Sequence, residues 1–167
     1  MENVSAYNVD VDTGDSKTSS IVTLREVPSF LIEAFSRIWC LDGCKIEGIF
    51  RKEGAAARTK EGSLPVFFGA EPIPKNFLVH DICSWIKRFF RDLKQPLFRD
   101  RESQLLKFAD TYSSIEDRGN LFVMIMVLLE RMSTCHIGAL GYLMRCLQEI
   151  SEEASVHHMT IENLATV

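Results

Sequence analysis

The residues of this chain whose types and spacing could carry chemistry are mostly basic. Arg51 lies in the stretch Glu47-Gly48-Ile49-Phe50-Arg51-Lys52-Glu53-Gly54, where two glycines bracket two large hydrophobes and two bases. Ile49 and Phe50 are expected to plug this loop into the core and hold the next side chain outward. The glycines let the backbone turn sharply and approach a partner closely. An anchored loop that projects one guanidinium suits phosphate charge, because its planar fork of donors matches two oxygens at once. Lys87 and Arg91 stand one helical turn apart and share a polar stripe with Ser84 and Arg88. Taken residue by residue, most such surface bases are better explained as a solvated face beside a structural loop.

Other chemistries lack their signatures. The sequence holds no GxxxxGK[ST] phosphate loop and no HExxH, GxSxG or GxGxxG pattern. His80, His136, His157 and His158 are dispersed, with no serine or cysteine in a nucleophile context beside them. Five cysteines at irregular spacing read as reduced thiols of an intracellular protein. Cys40 and Cys44 lack a CxxC knuckle and a second ligand pair, so no metal is expected. A self-contained active site is therefore not expected. The formal charge of −4 hides an asymmetry: residues 51–101 carry eleven bases against six acids, and residues 102–167 carry nine acids against four bases. A basic segment in an acidic chain points to an anionic partner. No transmembrane segment is expected, since the apolar run from Leu121 to Leu129 is far shorter than the ~20 residues a spanning helix needs.

The elements that must position these residues follow from periodicity. At 167 residues, 46% hydrophobic and 25% charged, the chain has the make-up of one medium globular domain. Residues 1–20 read as a flexible leader and residues 21–167 as the domain. Ile21-Val22-Thr23-Leu24 is too short to decide between a strand and an extended lead-in. Pro28 opens a helical pattern carried by Leu31, Ile32, Phe35, Ile38 and Trp39 and ended by Gly43. A short helix is expected over 55–60, and an irregular connection over the Gly- and Pro-rich residues 61–78. Ile82, Trp85, Ile86, Phe89, Phe90 and Leu93 give the clearest helix, closed by Pro96. Further helices are expected over 100–111, from a Ser113/Glu116 capping box to about Met132, over 135–151, and from near Thr160. The third from last is apolar nearly all round through 121–129 and should be central in the core. The fold class is all-α.

Three blocks then become recognisable together. Glu47-Gly48-Ile49-Phe50-Arg51, the run from Ile86 to Leu97 (IKRFFRDLKQPL), and Met159-Thr160-Ile161-Glu162-Asn163-Leu164-Ala165 resemble the signature blocks of Rho-family GTPase-activating (RhoGAP) domains. In that family they read approximately EGIFRxSG, LKxFLRELPEPL and NKMxxxNLAxVFGPNL. Val27–Leu31 resembles the domain opening, and His136–Met144 the helix before the last block. The resemblance covers residues 22–167.

The resemblance implies a RhoGAP-type helical bundle that lacks its final helices, since the chain stops at Val167 before the FGPNL segment. It implies a GTPase activator that does not hydrolyse GTP by itself. Arg51 matches the arginine finger, Lys87 the lysine that braces the finger loop, and Arg91 an arginine supporting the same interface. Asn163 matches the asparagine that touches the GTPase switch region, and Gly48, Ile49 and Phe50 anchor the loop. The implied partner is a Rho, Rac or Cdc42-type small GTPase in its GTP form, not a nucleic acid. That partner carries the GTP and Mg²⁺, so no cofactor of the chain's own is implied. The implied location is the cytoplasm, with recruitment to the inner face of membranes through the partner.

Three departures accompany the match. Glu53 replaces the usual serine, placing an acid two residues from Arg51 that would pair with Lys52 or weaken Arg51. Lys94-Gln95 replaces Pro-Glu, and His157 replaces a common asparagine. The alternatives are a GTPase-binding module with weak or lost activation, and a helical scaffold whose basic stripe binds acidic partners.

Overall fold

The strongest helical periodicity of the sequence lies over Val79–Arg91, and there Ile82, Trp85, Ile86 and Phe89 are buried while Arg91 faces solvent. The computed structural model describes residues 4–12, 21–60, 62–98, 102–111, 118–130 and 132–167. Two strands, β1 (Ala6–Asp12) and β2 (Ile21–Pro28), precede the helices α1 (Ser29–Cys40), α2 (Ala56–Thr59), α3 (Ser63–Phe67) and α4 (Val79–Arg91). Then follow α5 (Glu102–Thr111), α6 (Arg118–Glu130), α7 (Thr134–Glu152), α8 (Ala154–His157) and α9 (Ile161–Ala165). A 3-10 turn, Gly43–Lys45, links α1 to the Arg51 loop.

The core lies between α1, α4 and α7. Helix α1 buries Phe30, Leu31, Ala34, Phe35 and Ile38, while α7 contributes Ala139, Tyr142, Cys146 and Ile150. Five aromatic rings lock α1, α3 and α4 together, with edge-on pairs Phe30–Phe67 at 4.7 Å and Phe77–Trp85 at 4.5 Å. Trp85 donates its indole N–H to the Thr59 carbonyl at 3.0 Å, so the largest buried side chain leaves no polar atom unmet. Arg37 on α1 donates to the Ile73 carbonyl at 2.8 Å, and Glu33 accepts from the Ile73 N–H at 2.9 Å. These two bonds tie the Pro-rich connection to the bundle. That connection also contains the short helix α3, which the expectation of an irregular stretch over 61–78 did not include.

Residues 6–12 are not a flexible leader. They form β1, antiparallel to β2, with Val9 opposite Leu24 and Tyr7 opposite Val27. The reading failed because Asn8, Asp10 and Asp12 mimic a polar tail, whereas the strand is fixed by its pairing and its seat. Ile21–Leu24, undecided from sequence, belongs to β2. The seat is α7: an added Cβ at Gly138 would strike the Arg25 carbonyl, and one at Gly141 would meet the Leu24 side chain at 3.0 Å. Two glycines one turn apart thus let a strand lie directly on a helix. A register shift between Tyr7 and Val9 accommodates Glu26 at φ 56°, whose carboxylate accepts from the Thr134 hydroxyl at the start of α7.

Helix α6 is not central in the core. It packs beside α5, while Phe122, Val123, Met126 and Val127 face solvent. Ile125 and Leu129 instead line an apolar cavity of about 400 Å³ with Leu24, Leu105, Leu140 and Met144. A helix apolar all round needs neighbours on every side to be central, and the described residues surround α6 on one side only. The expected capping pair Ser113 and Glu116 lies outside the described residues.

Candidate functional site

Arg51 sits on the loop between the 3-10 turn and α2, and this loop reverses direction twice within three residues. Gly48 at φ +71° and Phe50 at φ +64° are both left-handed. For phenylalanine that conformation costs about 1–2 kcal/mol, which burial of the ring offsets. Phe50 is 3% exposed, with its ring 6.2 Å from that of Phe35, and Ile49 is fully buried. With two consecutive side chains inserted inward, the following one emerges into solvent. The Gly48 carbonyl closes the turn by accepting from the N–H groups of Arg51 at 3.0 Å and Lys52 at 2.9 Å.

Two other elements hold this loop. From one side, the Gly48 N–H donates to the His157 carbonyl at 2.9 Å. His157 is itself buried: its Nε2 faces the Ile150 carbonyl at 2.7 Å, and its Nδ1 accepts from the Met159 N–H at 3.1 Å. From the other side, α4 presents Lys87, whose Nζ donates to the Phe50 carbonyl at 2.9 Å and to Glu53 Oε1 at 2.5 Å. Ser84, one turn earlier, donates to Glu53 Oε2 at 3.0 Å and accepts from the Gly54 N–H at 2.8 Å. The Lys87 ammonium, followed by the Ser84 hydroxyl, holds the Glu53 carboxyl below its ordinary value. Glu53 therefore pairs with Lys87 and not with Lys52, which reaches Glu47 at 3.3 Å.

The downstream end of the loop is fastened by Asp81, fully buried in the first turn of α4. Its carboxylate accepts from the Ala55 N–H and the Leu78 N–H, both at 2.8 Å, and from Arg58 Nε at 2.7 Å. Burial alone would push this carboxyl up, but the Arg58 bond and the two backbone donors outweigh it and hold it below the ordinary value. Arg88 bridges from α4 to the Thr59 and Lys60 carbonyls, both at 3.1 Å.

Lys87 thus touches the Arg51 loop directly, while Arg91 and Asn163 do not. Arg91 is solvent-exposed, pairs with Asp92 at 3.1 Å, and lines a groove of about 400 Å³ with Glu53, Lys60, Ser84 and Arg88. Asn163, exposed on α9, donates its amide to the His158 carbonyl at 3.3 Å, and Thr160 caps that helix. Its link to the loop runs through the segment 157–159. Arg51 is exposed, and among the described residues its guanidinium has no hydrogen bond or ion pair. Behind the loop, burial pushes the Cys83 thiol up to about 12, which leaves it protonated and without nucleophilic character. Among the described residues no three His, Cys, Asp or Glu side chains converge on a metal position.

Sequence reasoning missed Asp81 and the structural use of His157. An acid three residues after Leu78 at a helix start was an available signal for Asp81. Nothing local announces His157, whose partners are Ile150, Met159 and, through its carbonyl, Gly48.

The RhoGAP domain model matches residues 28–167, which includes Arg51, Lys87, Arg91 and Asn163. The chain belongs to the RhoGAP domain family. Among related proteins, Mus musculus Rho GTPase-activating protein 24 is 31% identical over 127 residues, covering 75% of this chain. Homo sapiens Rho GTPase-activating protein 11A is 29% identical over 150 residues, covering 89% of this chain. The chain spans only 17% and 14% of the lengths of these two relatives. The RhoGAP fold is matched by the BH domain from GRAF, the GTPase regulator associated with focal adhesion kinase. That superposition has a TM-score of 0.71 at 21% identity, covering 83% of this chain and 74% of the other. Human Rho GTPase activating protein 15 superposes with a TM-score of 0.66 at 22% identity, covering 83% and 65%. The helical bundle agrees with the expected fold class, with the β1–β2 hairpin added to it.

Proposed function

We propose that this RhoGAP domain inserts Arg51 into the nucleotide site of a GTP-bound Rho-family small GTPase and accelerates its hydrolysis. The observation that carries this reading is an unpartnered guanidinium on a loop fastened on both sides, by His157 through Gly48 and by α4 through Phe50, Glu53 and Gly54. Phosphoryl transfer to water builds negative charge around the β–γ bridge and the γ-oxygens. A guanidinium delivered there stabilises that charge, and a loop already ordered lowers the entropy of delivering it. Such a group contributes about 10³–10⁵ in rate. GTP and Mg²⁺ are carried by the partner, so the chain supplies no cofactor. Lys87 braces the loop, and Arg91 and Asn163 contact the partner's surface on either side of it.

Single-turnover GTP hydrolysis by Rho, Rac and Cdc42-type GTPases, with and without the protein, tests the reading. Arg51→Ala should lose at least about 10³ of the stimulation while binding of the GTP form persists. Binding without stimulation by the unmutated protein would reduce the domain to a GTPase-binding module. Absence of both binding and stimulation across the panel would overturn the reading.

A further inference from the structure

The acid two residues after Arg51 has a geometry that reverses its expected effect. Glu53 leaves the Arg51 guanidinium alone and directs both carboxylate oxygens at α4, one to Lys87 at 2.5 Å and one to Ser84 at 3.0 Å. Each of these α4 side chains also holds a backbone group of the loop. Lys87 binds the Phe50 carbonyl immediately before Arg51, and Ser84 binds the Gly54 N–H. The carboxylate is therefore the middle of a continuous chain: Phe50 carbonyl, Lys87, Glu53, Ser84, Gly54 N–H. That chain spans the loop beneath Arg51 and fixes the points where its backbone enters and leaves.

Charge placement follows from the same contacts. The Lys87 side chain is only 25% exposed, so the orientation of its ammonium depends on acceptors within reach, and Glu53 supplies the only anionic one among the described residues. Once paired, Glu53 adds little negative potential at Arg51. Without Lys87 it would become an uncompensated anion two residues from the guanidinium.

From this arrangement we infer that Glu53 is a positioning residue for Arg51, acting through Lys87, and not an antagonist of it. The inference rests on the proposed role of Arg51 and concerns how that role is set up in this chain. A consequence specific to the geometry is that the effect of removing Glu53 depends on whether Lys87 is present. With Lys87 in place, Glu53→Ala breaks the chain and lets the loop wander. In a Lys87→Ala background, the same change removes a stray anion.

The experiment is a double-mutant cycle on the full chain, scored by maximal GTPase stimulation and by the protein concentration giving half of it. Glu53→Ala should lower maximal stimulation about threefold, the effect of losing a largely exposed ion pair, and shift the half-saturating concentration less. Glu53→Gln, which keeps an acceptor for Lys87, should recover most of the loss. In the Lys87→Ala background, Glu53→Ala should leave stimulation unchanged or raise it. Equal losses in both backgrounds, or a gain from Glu53→Ala with Lys87 present, would overturn the inference. Amide exchange at Gly54 gives a readout that needs no GTPase: Glu53→Ala should speed it, and unchanged exchange overturns the clamp. If the unmutated protein stimulates no GTPase, the proposed function fails, whereas the exchange result still decides the clamp.

Discussion

Removing the Asp81 carboxylate should destabilise the domain by about 3 kcal/mol, a figure that follows from its contacts. Asp81→Ala strands the N–H groups of Ala55 and Leu78, each bonded at 2.8 Å, at roughly 1 kcal/mol apiece. It also strips Arg58 of its anion. Breaking a fully buried pair costs about 3–5 kcal/mol, but the Arg58 side chain is 33% exposed and regains water, so about 1 kcal/mol remains. The lost anion at the start of α4 adds a few tenths of a kcal/mol through the helix dipole. For a chain of this length, about 3 kcal/mol corresponds to a fall in Tm of about 6–12 °C.

The pH dependence makes the prediction sharper. The folded-state pKa of Asp81 lies below its ordinary value of 3.8. A carboxylate with a depressed folded pKa contributes fully above its unfolded value and loses that contribution as pH falls through the folded one. Urea denaturation of wild type and Asp81→Ala should therefore show a constant gap from pH 7 to about 5, narrowing below 3.8. Asp81→Asn, which keeps one acceptor oxygen, should show roughly half the gap at pH 7. A difference below about 1 kcal/mol at pH 7 would refute the reasoning, since two stranded N–H groups alone exceed it. So would a gap that persists unchanged at pH 3.

Two further substitutions probe how the hairpin and the loop are held. Gly138→Ala places a methyl group against the Arg25 carbonyl, so β2 must lift from α7. Its overpacking cost should exceed the ~1 kcal/mol that alanine gains as a helix former, lowering Tm and speeding amide exchange in β2. A raised Tm with unchanged exchange would count against that seat. His157→Ala leaves the Ile150 carbonyl and the Met159 N–H unmet in the core and should cost about 2–3 kcal/mol in urea denaturation. It should also speed exchange at Gly48, whose N–H is held by the His157 carbonyl; protection equal to wild type would uncouple the two segments.

What could be read from sequence here divides by the range of the forces involved. Helix α4 was legible because burial of Ile82, Trp85, Ile86 and Phe89 imposes a 3.6-residue period on neighbouring positions. The β1–β2 hairpin was not, because its strands are separated in sequence and its seat depends on two glycines more than a hundred residues away. Helix α6 shows the limit of composition: an apolar surface reveals a need for neighbours but not which sides have them. Within the site, the position of Arg51 was legible from its block, but the bonding of Glu53 was misjudged. Lys52 is adjacent in sequence, yet the partners that reach Glu53 are Ser84 and Lys87 on another element.

The same distinction changes the meaning of the basic middle segment. Its eleven bases suggested a broad attraction for an anion. In the folded chain Arg58 is taken up by Asp81, Arg88 and Arg91 by Asp92, Lys52 by Glu47, and Lys87 by Glu53 and the Phe50 carbonyl. Among the described arginines of that segment, Arg51 alone has no internal partner. A surface built to attract an extended polyanion would leave many charges unpaired, and its binding would fall steeply with added salt. Among the described arginines of the segment, internal pairing leaves only the Arg51 guanidinium free, on a braced loop, the arrangement expected where a single cation must meet charge that develops at one point.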